Sequence, residues 1–116
     1  MKANKLFICN VDDIEEPGSR GFSIEIDEEI IEGFVVLKDG QFFAYRNSCP
    51  HTGAPLDWVE HQFLDMDGAL IQCAVHDARF IIDDGKCIAG PCAGDSLQKL
   101  EIIQQDKKLF MLDQKF

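Results

Sequence analysis

Four residues between positions 49 and 76 restrict this chain more than anything else in it. They form two mixed pairs, Cys49-Pro50-His51 and Cys73-Ala74-Val75-His76, each cysteine just ahead of its histidine. One residue separates the first pair and two the second, so each short loop can aim a thiolate and an imidazole the same way. A centre with two irons can take both cysteines on one iron and both histidines on the other, and thiolate and imidazole both suit iron. The spacing therefore points to a [2Fe–2S] cluster held by Cys49, His51, Cys73 and His76. The competing reading is structural zinc, which also takes two cysteines and two histidines. Zinc-finger and ribbon spacings pair cysteine with cysteine and histidine with histidine. Here both pairs are mixed and Pro50 stands between ligands, so a zinc-stabilised binding module is kept as the lesser alternative.

Around these pairs the chain resembles the Rieske family. The matching stretches are Cys49-Pro50-His51-Thr52-Gly53-Ala54-Pro55-Leu56, then Cys73-Ala74-Val75-His76-Asp77-Ala78-Arg79-Phe80, then Gly85-Lys86-Cys87-Ile88-Ala89-Gly90-Pro91. The resemblance runs from about the first strand to the last. It implies an all-β, Rieske-like fold, with antiparallel sheets, an inserted cluster-binding subdomain, and a proline-containing loop at 90–91 packed over the cluster. The segment 52–72 is several residues longer than in the more familiar members, and extra length in a surface loop costs little closure entropy.

The family also implies how the site works. Cys49 and Cys73 would bind one iron as thiolates, and His51 and His76 the other as neutral imidazoles. Neutral ligands leave the cluster less negative, so its potential lies above that of all-cysteine plant-type centres. Respiratory members of the family bridge their two ligand loops with a disulfide. The matching positions here are Ala54 and Val75 (or Ala74), where no such bridge can form. Respiratory members also place Ser and Tyr hydroxyls after the second histidine, where this chain has Ala78 and Phe80. Fewer donors stabilise the reduced cluster less, which sets the expected potential on the order of −150 mV, low in the Rieske range. The resemblance thus implies a Rieske-type ferredoxin. It would carry one electron from a flavin-dependent reductase to a terminal oxygenase and would not be an enzyme by itself. A small Rieske subunit of a larger reductase, such as a nitrite reductase, is the alternative.

Composition agrees with that reading. The chain has 116 residues, which fits one domain over 1–116 with cluster-binding loops at about 46–92. A formal charge of −10 argues against nucleic acid, whose phosphates need Lys and Arg, and against anionic membrane surfaces. It suits steering toward a basic patch on a redox partner, although each acidic cluster taken alone reads as a solvated surface. No apolar run reaches the length of a membrane span, and residues 1–10 lack a signal-like segment, so the expectation is a soluble, cytoplasmic protein. Five cysteines without a secretory segment argue against a disulfide framework. Cys9 reads as a small buried hydrophobe, and Cys87 and Cys92 as structural residues, the latter beside Pro91, with a redox pair of the two as the lesser alternative.

Along the chain, residues 6–11 predict a first strand. Phe22-Ser23-Ile24-Glu25-Ile26 alternates with period two and predicts a strand with Phe22, Ile24 and Ile26 inward. Three hairpins follow: residues 34–37 with 41–45 around Asp39-Gly40, residues 63–65 with 69–72 around Met66-Asp67-Gly68, and residues 80–82 with 87–88 around 83–86. Each feeds one of the three loops. A last pair joins residues 97–103 to 108–112 through a turn at 104–107. Phe42, Phe43, Tyr45 and Trp58 read as packing residues, and His61, the one histidine outside the pairs, as a surface residue.

Overall fold

One strand organises the base of the molecule. The computed structural model describes residues 5–26, 28–48, 50, 56, 61–73, 78–90 and 93–112. Within it β3, Glu29–Lys38, runs between β2, Gly18–Ile26, and β4, Gln41–Arg46, in one antiparallel sheet. The apolar run Phe34-Val35-Val36-Leu37 is buried throughout. Side chains alternate across a strand, so Phe34 and Val36 enter one apolar cluster, with Tyr45, Leu56, Phe63 and Phe80. Val35 and Leu37 enter another, with Cys9, Ile24, Leu109 and Met111.

A second sheet covers the far side of the base, in the order β1 (Lys5–Asn10), β9 (Lys108–Leu112), β8 (Ile102–Gln105). A third, smaller sheet carries β5 (Leu70–Gln72), β6 (Arg79–Ile81) and β7 (Cys87–Ala89). Every strand pair is antiparallel. Among the described residues the only helical element is a 3₁₀ turn, Val11–Asp13. The fold is all-β, as the sequence implies. The three central hairpins form as expected, with Asp39 and Gly40 at φ 53° and 74° making the tight turn between Lys38 and Gln41. Ser23 and Glu25 face solvent, while Phe22, Ile24 and Ile26 pack on the base.

Two boundaries differ from expectation. β3 begins at Glu29, five residues early, and pairs with β2 from Ile26↔Glu29 onward. Glu28 takes a left-handed φ of 68° at this turn, a conformation for which Gly or Asn is the usual sign, so sequence gave no turn signal. The last turn is only Asp106-Lys107, because Gln104 and Gln105 pair with Leu109 and Lys108 on an exposed strand. Residues 98–100 leave that hairpin and lie along β4 instead. There the Leu100 N–H donates to Ala44 O at 3.0 Å and the Arg46 N–H to Gln98 O at 2.8 Å.

Tyr45 ties the base to the third sheet. Its ring is fully buried, and its hydroxyl donates to the Ile82 carbonyl at 2.6 Å. Burial first, and then the charges of Asp84 and Asp83, push its pKa up to about 12. The unfolded phenol ionises near 10, so the folded state holds the proton more tightly. The resulting stabilisation is complete below about pH 10 and is lost as pH rises toward 12. Thermal melts across that window should show the wild type losing stability more steeply than Tyr45→Phe. Equal slopes would refute the assignment.

Candidate metal centre

The described candidate ligand is Cys73. It directly follows β5 and is fully buried, in a cluster with Leu56, Ala78 and Phe80. Its N–H donates to the Ala78 carbonyl at 2.8 Å. That bond fixes the two ends of the second ligand segment to one another at the mouth of the β5–β6 hairpin. Cys49, His51 and His76 lie outside the described residues, as do Trp58, Pro91 and Cys92.

Residues 46–48, which lead into Cys49, are tightly bonded. β4 ends at Arg46, whose N–H is held by Gln98. The Asn47 N–H donates to Glu32 O at 2.8 Å and the Ser48 N–H to Arg46 O at 2.9 Å. On the far side, Leu56 is anchored in the apolar cluster, and its N–H donates to Asn47 Oδ1 at 2.7 Å. Sequence reading passed over Asn47 as part of the approach. Its position two residues ahead of Cys49 was the available signal.

The third segment meets the second at Gly90. This residue follows β7 with φ 98°, and a Cβ there would lie 2.8 Å from Ala78 Cα. Only glycine accepts both that φ and that approach. Cys87, expected to be structural, is buried, with its Sγ 3.2 Å from Ala89 O. Its backbone is held by Asp95 O at 2.8 Å and by the Gly94 N–H at 3.2 Å. Cys9 is likewise buried, and burial pushes its thiol pKa up.

The long segment between the ligand pairs is pinned to the base. Phe63 is fully buried and stacks on Phe34, with centroids 4.2 Å apart and planes 6° from parallel. His61 is a correction to the sequence reading. It is half-buried at φ 71°, with Nδ1 accepting from the Gly21 N–H at 3.0 Å and its carbonyl accepting from Ser19 Oγ at 2.7 Å. Ser19 Oγ in turn accepts the Phe63 N–H at 3.1 Å. These bonds cover the outer edge of β2, the kind of open edge that proteins protect from pairing with other chains. A histidine away from a ligand motif reads as exposed by composition, and only the long-range pairing with β2 reverses that.

The surroundings of Cys73 fit an iron–sulfur ligand. A soft sulfur donor sits in an apolar cluster with Leu56, Ala78 and Phe80, with no hydroxyl at positions 78 or 80. Beside the first ligand segment a polar cleft of about 380 Å³ opens between Arg46, Ser48, Pro50, Ser96 and Gln98. Arg46 reaches Glu29 across 4.0 Å, a contact at the surface that contributes little stability.

The Rieske [2Fe-2S] domain family model matches residues 4–108. The 3-phenylpropionate/cinnamic acid dioxygenase ferredoxin subunit of Photorhabdus laumondii subsp. laumondii is 28% identical over 108 residues, 93% of each chain. Among solved structures, a chain in the complex of reduced oxygenase and oxidized ferredoxin in carbazole 1,9a-dioxygenase superposes with a TM-score of 0.72. It is 21% identical, over 93% of this chain and 92% of that one. A putative NADH-dependent nitrite reductase small subunit from Mycobacterium tuberculosis superposes with a TM-score of 0.66, at 19% identity over the whole of both chains. At these identities the structural matches establish the fold.

Proposed function

The chain belongs to the Rieske [2Fe–2S] domain family, and on that premise we propose that it is a soluble one-electron carrier. It takes electrons from a flavin-dependent reductase and delivers them to a terminal oxygenase. The observation that carries this reading is the family match across residues 4–108, a span that holds all four candidate ligands. The ferredoxin relative, similar over 93% of both chains, is named as a subunit of a dioxygenase system, which supports the same assignment. We assign no catalytic residue, and we place the carrier in the cytoplasm as one domain over 1–116. No helix among the described residues is long and apolar enough to cross a membrane.

In this reading Cys49 and Cys73 supply the thiolates, and His51 and His76 the imidazoles. The bound cluster supplies a site that gains and loses a single electron. The protein's own contribution is positional. The Cys73–Ala78 bond holds the second segment, the Asn47–Leu56 bond the first, and Leu56, Ala78 and Phe80 keep water from the buried sulfur. Apolar side chains at 78 and 80 offer no hydroxyl to stabilise added negative charge, which keeps the potential low.

A second reading, the small subunit of a nitrite reductase, draws on the whole-chain superposition with such a subunit. The presence of all four candidate ligands favours electron transfer in either setting. The test is direct. The purified protein should be brown-red, contain iron and acid-labile sulfide, and give a Rieske-type electron paramagnetic resonance signal when reduced. Its midpoint should lie on the order of −150 mV. A colourless zinc protein would overturn the carrier reading, and a strongly positive midpoint would overturn the ferredoxin assignment.

A further inference from the structure

We propose that Asn47 is a positioning residue for the first ligand pair: its side chain bolts the two ends of the segment bearing Cys49 and His51 to each other. The proposal rests on the ligand reading above.

The geometry is specific. Asn47 Oδ1 accepts the Leu56 N–H at 2.7 Å, nine positions away, and both candidate ligands fall between the two in sequence. Each end of that bond is fixed independently. Asn47 is set by its own N–H on the carbonyl of Glu32 in β3 at 2.8 Å, and by the Arg46–Gln98 bond one residue earlier. Leu56 is held by its side chain, fully buried among Phe34, Phe63 and Phe80. A side-chain bond between two immobile points costs little further entropy to make. It also satisfies the amide of a buried residue, which would otherwise be left without an acceptor.

The second segment uses a different device for the same end. There the Cys73 N–H and the Ala78 carbonyl meet directly, because a β-hairpin brings backbone to backbone. The first segment closes through a side chain instead. Position 55 is proline, which has no N–H to give, and the amide that follows it, that of Leu56, takes the Asn47 side-chain carbonyl as its acceptor. An amide carbonyl at position 47 is long enough to reach it. Groups that orient metal ligands commonly change metal affinity by about 10- to 100-fold when removed.

The experiment compares wild type, Asn47→Leu and Asn47→Asp as loaded proteins. Leucine keeps the volume and loses the acceptor, whereas aspartate keeps an acceptor oxygen in the same place. Two quantities are read: the rate at which visible colour bleaches under an iron chelator, and hydrogen exchange of the peptide that includes the Leu56 amide. Asn47→Leu should bleach about 10- to 100-fold faster and exchange faster at Leu56, and Asn47→Asp should restore most of both. Rescue by aspartate separates positioning from mere loss of packing. Equal bleaching in wild type and Asn47→Leu, or no rescue by aspartate, would overturn the proposal. If instead the wild type takes up no iron, the ligand reading falls by itself. Exchange at Leu56 then still decides whether the bond exists, faster exchange in Asn47→Leu supporting it and unchanged exchange overturning it.

Discussion

Cys73→Ala should yield a colourless protein without iron or acid-labile sulfide, while Cys87→Ala keeps its colour. Both sulfurs are buried and both belong to the outer strands of the third sheet, Cys73 just after β5 and Cys87 at the start of β7, so burial alone does not separate them. Their surroundings do. Cys87 sits within β7 and spends its Sγ on the carbonyl of Ala89, 3.2 Å away. Cys73 stands just past the end of β5, and only its backbone is engaged in the described bonds. In the proposed ligand set Cys73 is one of four, so its loss removes a metal bond together with the folding energy that comes with the metal. Iron and sulfide assays on the two variants, prepared in parallel, check the contrast. A coloured Cys73→Ala protein would refute the ligand assignment.

Phe63→Ala should destabilise the fold by about 3–5 kcal/mol, the range for removing a large buried aromatic ring. Phe63 is completely enclosed and lies flat against Phe34 of β3 at 4.2 Å, a stacking geometry that adds to the burial itself. The loss has a second consequence. Phe63, like Leu56, is an apolar tether of the segment between the ligand pairs, and its N–H bond to Ser19 helps hold that segment on β2. Chemical denaturation should therefore show a lower midpoint, and amide exchange should rise at Gly21 and Phe63 more than at β9. A shift below about 1 kcal/mol would mean that the site collapses around the gap.

Much of this was legible in residue order. The two ligand pairs, the hairpins at Asp39-Gly40 and Gly68, and the inward face of β2 all follow from local chemistry: mixed donors at short spacing, glycine where φ is positive, and period-two alternation. What stayed hidden depends on partners distant in sequence. Glu28 turns left-handed without glycine because the long β2–β3 ladder imposes it. Residues 98–100 choose β4 over their own hairpin through two backbone bonds that no local pattern encodes. His61 is drawn inward by Gly21, forty positions earlier. At the site, residue types named the candidate ligands, but the roles of Asn47 and Gly90 emerge only when Leu56 and Ala78 are seen beside them.

The double-sided burial of β3 has a bearing on electron transfer. A ribbon whose run from Phe34 to Leu37 is committed, alternately above and below, leaves neither half of the molecule free to slide on the other. A single-residue slip would send Phe34 into the space of Val35 and strand Leu37 among rings, so the register resists small shifts. A frame of that stiffness changes little when a charge arrives at one end, and less of the driving force is then spent on rearranging the protein around each electron.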